Sequence, residues 1–502
     1  MSNRLSSKIS LLYTSKKLPW IIIGLGVVLR VIQYLFNRSL WFDESMLALN
    51  IIERSFLELL QPLSYQQGAP VGFLMLEKTA VQIFNSSEYA LRLLPFLSGI
   101  ASIVLFYEVA KRLIKPEAVP IAVFLFAISE PLIYYSSEVK QYSIDVFIAL
   151  SILYFVTRNI QAKRLTARNI IAFGILGAIV IWFSHPSVFI LAGAGVSLAV
   201  FSFVRKDWAR IGHLSIAFSF WALSLILCYL VSLADLSDNQ GLLNYWGGAF
   251  MPFPPSSLGD IKWFFSTFFE LFDNPVGLSL SGIAALAFLV GSVSIFVQKK
   301  EQFFFLVIPI LLTLLASGFH LYPFQGRLLL FLVPSILLFI AEGAEQIRYK
   351  TRHNSPFIGI TLICLLFLKP SYSAGYHLIK PRTKEEIKPV ISYLREHEQS
   401  GDLLYVYYSA VPAYKFYSNI FGLNDNIYIE GVSSRDNWGN YIDDIDKLRG
   451  NNRVWLLFSH VYTHQGVNEE KFFLNYLDRT GTKLDASKSV GASVYLYDLN
   501  DQ

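Results

Sequence analysis

Long apolar segments, repeated along most of the chain, constrain this sequence more than any other feature. Eleven segments are apolar over roughly the length that a helix needs to cross a bilayer, about 20 residues. Hydrophobic residues make up 54% of the 502 residues and charged residues only 16%, whereas about a quarter of a soluble domain is charged. The sequence therefore predicts a polytopic α-helical membrane protein, and the segments are 18–36, 88–113, 118–136, 141–158, 168–184, 187–204, 211–233, 278–298, 302–320, 327–347 and 355–370.

Basic residues between these segments fall on one side of the membrane if all eleven segments cross it. The positive-inside rule makes that side cytoplasmic. The chain starts there as well, and the first segment lacks a small-residue cleavage site, so we expect a retained first span in the cell (inner) membrane. The residues are Arg4, Lys8, Lys16 and Lys17; Lys111, Arg112 and Lys115; Arg158, Lys163, Arg164 and Arg168; Arg205, Lys206 and Arg210; Lys299 and Lys300; Arg348, Lys350 and Arg352.

The opposite, outer side receives two long loops, 37–87 and 234–277, and the C-terminal tail. In the first loop, residues 70–84 are apolar but short for a span and contain Glu77 and Lys78, which favours an amphipathic helix in the membrane plane. The second loop is rich in Trp, Phe and Pro, as is typical of the membrane interface.

The tail has the composition of a soluble domain. Three continuous apolar stretches, 402–408, 453–458 and 493–499, predict strands, and helical patterns alternate with them at 384–398, 411–419, 440–449 and 467–479. Such alternation predicts a small α/β domain whose sheet is covered on both faces. We expect two domains, a transmembrane domain over 1–370 and a soluble α/β domain over 371–502.

Asp43 and Glu44 form a carboxylate pair directly after the first span, on the outer side. One reading is an interfacial pair that only marks the end of a helix. The other is a general base or a pair of metal ligands. Two residues alone do not decide between these readings.

Three short outer connections carry further polar residues within otherwise apolar surroundings. Glu138 and Lys140 fit either a local ion pair or an acidic site beside a cation that binds phosphate. His185 fits a structural histidine or a ligand or acid–base group. His320 lies in the connection that precedes Arg327.

Two arginines open spans from the outer side, Arg92 and Arg327. A guanidinium at headgroup depth can clamp a phosphate, or it can simply extend toward water. Arg30, inside the first span, would be costly in lipid, so we expect it to face protein or water.

The outer-side positions of these carboxylates and cations suit a substrate that is a lipid phosphate. No Gly-rich phosphate loop follows a strand in the transmembrane part of the sequence, and no cytoplasmic nucleotide-binding domain is predicted. Both features favour a lipid-linked donor, and we expect no nucleotide cofactor. The residues considered together are Asp43, Glu44, Arg92, Glu138, Lys140, His185, His320 and Arg327.

Four stretches resemble the GT-C superfamily of polyprenyl-phosphate-sugar-dependent glycosyltransferases. The branch that they resemble holds the dolichyl-phosphate-mannose protein mannosyltransferase-like proteins and the aminoarabinose transferase of lipid A. The resemblance covers roughly residues 18–370. The stretches are Leu40–Met46, Gly68–Pro70 with Ser87–Pro95, Ser136–Ser143 and Tyr322–Leu328.

The resemblance implies transfer of a sugar, hexosyl or pentosyl, from a polyprenyl phosphate to an acceptor hydroxyl, with inversion at the anomeric carbon. It implies that Asp43 is the catalytic base or orients it, with Glu44 beside it. Members often have Arg where this chain has Lys140, and a Lys is a point charge without the bidentate fork of Arg. The implied donor-phosphate cations are Arg92, Lys140 and Arg327; Glu138, His185 and His320 are implied acceptor or metal residues, and a divalent metal held by Asp43, Glu44, Glu138 and His185 stays undecided.

Two other functions fit many spans and a large outer loop. A transporter or flippase of a lipid-linked saccharide would place its charges near the midplane between repeated halves, and this chain keeps them at one surface. An O-antigen-type polymerase or ligase would use a diphosphate-linked donor. The acceptor, which is protein, lipid or glycan, is not specified by the sequence, and no nucleic acid is expected as a partner.

Overall fold

The computed structural model describes residues 17–161, 166–237, 239–423 and 428–500. The basic residues Arg4, Lys8, Lys16, Lys163 and Arg164 lie outside the described residues. The chain divides into two compact units. The membrane unit comprises Met1–Phe36, Phe56–Asn85 and Tyr89–Pro381, and the C-terminal unit comprises Asn37–Ser55, Ser86–Glu88 and Arg382–Gln502.

This division differs from the predicted domain scheme in two places. The last apolar helix continues to Ile379, so the C-terminal unit resumes at Arg382 and not at 371. The first outer loop is shared, because its beginning, Asn37–Ser55, packs with the C-terminal tail. Chain order alone gives no sign of that long-range packing.

The membrane unit is built from apolar helices joined by short connections. Short 3₁₀ turns lie at Glu58–Leu60, Ser64–Gln66, Tyr135–Ser137, Gly247–Ala249 and Gly326–Leu332, and one π-helical turn at Tyr229–Leu233. The α-helices are α1 Leu18–Leu35, α3 Val71–Phe84, α4 Glu88–Leu113, α5 Val119–Ile128, α6 Glu130–Tyr134, α7 Tyr142–Gln161, α8 Ala167–Val180, α9 Ser187–Val204, α10 Trp208–Cys228, α11 Ala234–Ser237, α12 Gln240–Tyr245, α13 Leu258–Asp273, α14 Ser281–Gln298, α15 Lys300–Gly318, α16 Val333–Thr351 and α17 Pro356–Ile379; α2 belongs to the C-terminal unit.

The described residues contain eight helices that are long and apolar enough to cross a membrane, or nine if α5 and α6, which meet at 55°, form one bent span. Two further predicted spans correspond to α7 and to α8, which has only 14 residues. The helical membrane fold is therefore confirmed, and the count of eleven stays a prediction. The stretch at 70–84, predicted to lie in the membrane plane, forms the helix α3, which is not among the candidate spans. Its orientation in the membrane stays a prediction.

A pair of glycines brings α14 and α16 into close contact. A Cβ at Gly291 would collide with the backbone of Phe339, and one at Gly343 with the backbone of Ala287. Small residues of this kind let helix backbones approach within a membrane. The segment that contains α16 is the most buried of the candidate spans. The contact between α14 and α16 therefore lies in the interior of the membrane unit.

Arg30 is buried in the membrane unit, as the sequence predicted, and the bend between α5 and α6 explains how. Its Nη1 donates to the carbonyl oxygens of Gly26 at 3.0 Å and of Ala127 at 3.1 Å. The bend at the end of α5 frees the Ala127 carbonyl, which a straight helix would use. The Arg30 guanidinium satisfies this carbonyl, and the protein oxygens around it make the buried charge tolerable.

The C-terminal unit has a mixed five-stranded sheet in the order β2-β1-β3-β7-β6. Strands β1, β2 and β3 are parallel, while β7 pairs antiparallel with β3 and β6. A short hairpin of β4 and β5 follows β3. The elements are α2 Phe42–Glu53, α18 Lys388–His397, β1 Leu403–Val406, α19 Val411–Phe421, β2 Tyr428–Glu430, α20 Trp438–Asp446, β3 Val454–Ser459, β4 Thr463–His464, β5 Val467–Asn468, α21 Glu469–Thr480, β6 Thr482–Ser489 and β7 Ala492–Asp498.

The predicted α/β domain is present, but two of its strands were not predicted and one helix begins later than predicted. Strands β1, β3 and β7 lie where apolar stretches predicted them and are buried almost throughout. Strands β2 and β6 were missed, since β6 is a polar edge strand without an apolar pattern. The predicted helix from 384 begins only at Lys388, because Glu385 and Glu386 instead bind the beginning of the first outer loop.

Candidate functional site

Asp43 and Glu44 lie in the first turn of α2, within the C-terminal unit. Carboxylates there interact favourably with the positive end of the helix dipole. Glu44 is fully buried, with 0% of its side chain exposed, and its Oε2 lies 3.4 Å from Nη2 of Arg38, which is 2% exposed. Asp43 is only partly buried. The two acids therefore differ in environment, since Glu44 is fully buried beside Arg38 and Asp43 is only partly buried.

Two adjacent glutamates of the tail hold the backbone just before Asp43. The amide of Phe42 donates to Glu385 Oε2 at 3.0 Å. The amide and hydroxyl of Ser39 donate to Glu386 Oε2 at 3.1 and 2.9 Å. Charged acceptors make the stronger hydrogen bonds in proteins, so these carboxylates fix the entry into α2.

The imidazole ring of His460 also contacts Glu385 and the loop before Asp43. His460 Nδ1 lies 2.6 Å from Glu385 Oε1, and its ring stacks on Phe42 with centroids 4.4 Å apart. Because His460 directly follows the last residue of β3, the sheet itself supports the loop that carries Asp43.

A second contact ties the same loop to α19. The amide of Leu40 donates to the Tyr417 hydroxyl at 2.7 Å, and that hydroxyl donates to Glu88 Oε1 at 3.1 Å. Lys388 Nζ lies 2.8 Å from the same Glu88 oxygen. The loop before Asp43 is thus hydrogen-bonded at Ser39, Leu40 and Phe42.

We expect Glu385→Ala to destabilise the C-terminal unit by about 1.5–3 kcal/mol, the contribution of a hydrogen bond to a charged group. The loop before Asp43 would lose the partner of the Phe42 amide and of His460. The measurement is thermal denaturation of the purified protein, and Glu430→Ala, which removes an exposed carboxylate, is the control. An unchanged melting temperature in Glu385→Ala would show that Glu385 does not support this loop.

The membrane unit contains the predicted cations. Arg92 and Lys140 are both buried, Arg92 in the second turn of α4 and Lys140 in the turn before α7. Lys140 Nζ donates to Gln67 Oε1 at 2.6 Å. Glu138 is buried two residues before Lys140. This contact joins the turn at 138–141 to the segment that precedes α3.

Arg327 lies against aromatic rings. Its guanidinium carbon is 5.6 Å from the ring centre of Tyr142 and 6.0 Å from that of Trp246, which is within the range of a cation–π interaction. His320, in contrast, is exposed, and its ring packs near Phe250. The structure therefore places Arg327 next to the start of α7, and His320 on the surface of the membrane unit.

A group that the sequence did not reveal lies at the same end of α7. Asp145 is 5% exposed, Ser184 is 1% exposed, and the Ser184 hydroxyl lies beside the Asp145 carboxyl. Burial, together with the negative charge of Asp145, raises the pKa of Tyr322 well above its usual value, which places Tyr322 near Asp145. Residues of α7, of the turn after α8 and of the connection after α15 therefore meet here.

His185 follows Ser184, and its environment determines its charge. Burial lowers the pKa of the ring from 6.5 to about 4. The imidazole is therefore neutral at pH 7, and it can accept or donate a hydrogen bond but does not add a positive charge.

Acidification is expected to destabilise the protein through His185. Between pH 6.5 and 4 the unfolded chain binds a proton that the folded protein does not, so folding free energy is lost as the pH falls through this window, by at most about 3 kcal/mol. His185→Gln should flatten this dependence, measured as the temperature of inactivation in detergent between pH 7 and 4.5. His353→Gln, at an exposed position, is the control, and an unchanged acid sensitivity in His185→Gln would contradict the assignment.

The metal prediction needs ligands from both units. Asp43 and Glu44 belong to the C-terminal unit, and Glu138 and His185 to the membrane unit. Within the described residues, no group of three or more His, Cys, Asp or Glu side chains is arranged to hold a metal ion. The divalent metal stays a prediction from the sequence.

Comparison with known protein families matches part of the membrane unit. Residues 67–232 match the sequence model of a family described as dolichyl-phosphate-mannose-protein mannosyltransferase. That match includes Arg92, Glu138, Lys140 and His185. No curated protein matches the chain in sequence.

Solved structures match over nearly the whole chain. ArnT from Cupriavidus metallidurans, bound to undecaprenyl phosphate, is 11% identical, with 96% of this chain and 98% of that chain covered and a TM-score of 0.57. The chain has the GT-C fold. The oligosaccharyltransferase of Archaeoglobus fulgidus, tethered with an acceptor peptide that contains the NVT sequon, is 12% identical, with 89% and 70% covered and a TM-score of 0.50.

The GT-C fold is the fold that the resemblance of the four sequence stretches implied. A third GT-C structure, AglB from A. fulgidus in complex with an inhibitory peptide and a dolichol-phosphate, is 12% identical, covers 95% of this chain and 74% of that chain, and has a TM-score of 0.50. The chain is an integral multi-pass membrane protein.

Proposed function

We propose that this GT-C protein is a membrane glycosyltransferase that moves a sugar from a polyprenyl-phosphate donor to an acceptor hydroxyl. One observation carries the proposal: the segment that matches the mannosyltransferase family, 67–232, buries Arg92 and Lys140 in a membrane protein. Cations at such positions are expensive and commonly mark a binding site for an anion. The phosphate of a lipid-linked donor is such an anion.

The donor lipid is proposed from the chemistry of the cations and from similar proteins. Undecaprenyl phosphate is bound in the ArnT structure and dolichol-phosphate in the AglB structure. Here Arg92 and Arg327 would supply guanidinium groups and Lys140 an ammonium group for the phosphate. Gln67, which accepts a hydrogen bond from Lys140, would hold that ammonium group in place.

Asp43 is the proposed base. The acceptor oxygen attacks the anomeric carbon as its proton passes to the Asp43 carboxylate, and the bond between that carbon and the phosphate oxygen breaks. The lipid phosphate leaves with the electron pair, and its charge is stabilised by the cations. A single in-line displacement of this kind inverts the anomeric configuration.

Glu44 is better suited to a supporting role. Its side chain is buried and paired with Arg38, so protonation during turnover would disrupt a buried ion pair. Asp43 is the more exposed of the two acids. This difference supports Asp43 as the proton acceptor and Glu44 as the residue that fixes the first turn of α2.

The proposed orientation places the N-terminus in the cytoplasm and the C-terminal unit on the outer side, which is where the reaction would occur. The basic connections Lys111–Arg112, Arg205–Lys206 and Lys299–Lys300 support it by the positive-inside rule.

The proposal is tested by turnover with defined donors. Purified protein in lipid nanodiscs would be incubated with undecaprenyl phosphate carrying labelled mannose, glucose, galactose or 4-amino-4-deoxyarabinose, together with a membrane extract as the source of acceptor. The expected result is consumption of at least one donor with release of undecaprenyl phosphate. Turnover of a nucleotide sugar or of a diphosphate-linked donor instead would overturn the proposed donor class, and intact donor recovered on the opposite leaflet would favour a flippase.

Lys140→Met is expected to weaken the binding of undecaprenyl phosphate by about 10- to 100-fold, since a hydrogen bond to a charged group contributes about 1.5–3 kcal/mol. Lys369→Met removes an exposed lysine that pairs with Asp273 and should leave the affinity unchanged. The dissociation constant of each variant is measured in detergent by scintillation proximity. Equal affinities for Lys140→Met and the wild type would remove Lys140 from the phosphate site.

A further inference from the structure

A compact polar group lies at the start of α7 and in the turn after α8, within the membrane unit. Asp145 is in the first turn of α7, and Ser184 and His185 form the turn between α8 and α9. Asp145 and Ser184 are more than nine-tenths buried. No step of the proposed transfer uses Asp145 or Ser184.

Three atoms of this group are buried without a hydrogen bond to any residue that the structure describes: Asp145 Oδ1, Ser184 Oγ and His185 Nε2. Buried polar atoms are nearly always hydrogen-bonded, because leaving them unpaired costs free energy. The Ser184 hydroxyl lies beside the Asp145 carboxyl, and His185 follows Ser184 in the chain. Unpaired atoms from two separate segments of the chain indicate a ligand with several hydrogen-bonding groups.

The surroundings of the group identify the kind of ligand. Tyr142 lies three residues before Asp145, on the same face of α7, and Arg327 packs against the Tyr142 ring at 5.6 Å. Tyr322 lies near both Tyr142 and Asp145. A proposed phosphate-binding cation thus shares neighbours with the unpaired polar atoms, so whatever binds them would be attached to, or lie next to, the donor phosphate.

We propose that Asp145, Ser184 and His185 form a subsite for the hydroxyl groups of the donor sugar, beside the cations that bind its phosphate. The inference rests on the proposed function, since it assumes a lipid-phosphate sugar as donor. A carboxylate accepts hydrogen bonds from two hydroxyls of one ring, a serine hydroxyl donates or accepts one, and a neutral imidazole nitrogen does the same. A subsite of this kind would select the sugar, because a hydroxyl that is missing or inverted leaves one of these atoms unpaired.

The test compares a lipid phosphate with and without its sugar. The dissociation constants of undecaprenyl phosphate and of undecaprenyl phosphate carrying each of the four sugars above are measured on the full chain in nanodiscs. The wild type should bind at least one sugar-bearing lipid about tenfold or more tighter than the bare lipid, as expected for hydrogen bonds to a charged group. Asp145→Asn should lose most of that difference and keep the affinity for the bare lipid.

Ser184→Ala provides a second, milder variant in case Asp145→Asn does not fold. It should reduce the preference for the sugar-bearing lipid severalfold, whereas Ser197→Ala, at a buried serine that donates to the carbonyl oxygen of Gly193 at 2.7 Å, should not. Retained affinity for bare undecaprenyl phosphate shows that each variant is folded.

The outcomes separate the inference from the proposed function. If the wild type binds neither the bare nor any sugar-bearing lipid, the proposed donor class is wrong and the subsite falls with it. If the wild type binds the bare lipid but gains nothing from any sugar, or if Asp145→Asn and Ser184→Ala keep the full gain, the subsite is wrong while the lipid-phosphate site stands.

Discussion

Replacing Asp43 by Asn is expected to reduce sugar transfer by about 10²- to 10⁴-fold, which is the usual contribution of a general base. The amide has nearly the same shape as the carboxylate but cannot take the proton of the acceptor. Asp43 is partly exposed, and the loop before it is held by Glu385, Glu386 and Tyr417, so the exchange should leave the fold intact.

The measurement is the single-turnover rate with saturating donor, accompanied by the melting temperature and the affinity for undecaprenyl phosphate. Asp207→Asn is the matched control, since Asp207 caps α10 through the Arg210 amide and asparagine caps helices equally well. An Asp43→Asn variant that transfers sugar at the full rate would remove Asp43 from the mechanism. A variant that loses donor affinity and melts early would indicate a structural role instead.

Replacing Arg38 by Met is expected to destabilise the C-terminal unit by about 3–5 kcal/mol, the cost of leaving one member of a buried ion pair without its partner. Arg38 and Glu44 are 2% and 0% exposed, so water cannot solvate Glu44 once the guanidinium is gone. Because Glu44 is in the first turn of α2, the turn that carries Asp43 would be disturbed as well.

A double replacement separates the charge effect from a packing effect. Arg38→Met with Glu44→Gln removes both charges and should recover most of the lost stability, measured by thermal denaturation of the purified protein. Lys483→Met breaks the exposed pair with Asp478 and should cost less than about 1 kcal/mol. Equal destabilisation by the single and double variants would show that the ion pair is not what stabilises this turn.

The sequence predicted the helical membrane fold because a helix that crosses a lipid bilayer needs a long apolar segment. Each such segment can be recognised in the sequence by itself. The two-unit division was not predictable in the same way. The loop 37–55 belongs to the C-terminal unit through contacts such as Leu40 with Tyr417 and Phe42 with Glu385. Such contacts join residues more than 300 positions apart, and neither end carries a local pattern that indicates the other.

Candidate site residues stand out in the sequence where polar residues interrupt apolar surroundings near a predicted loop. Asp43, Lys140 and Arg327 were selected in this way, and their roles stay predictions. Asp145 was missed because the predicted span 141–158 treated it as part of an apolar helix, although a carboxylate within a span is itself a signal of function. Arg38, five residues before Asp43, was overlooked because a loop arginine is usually exposed.

A structure of the full chain with undecaprenyl phosphate bound would test most directly whether cations of the membrane unit bind the phosphate of a lipid-linked donor. We expect phosphate oxygens within hydrogen-bonding distance, about 3 Å, of at least two of Arg92, Lys140 and Arg327. A phosphate bound elsewhere, with all three side chains unengaged, would contradict this expectation.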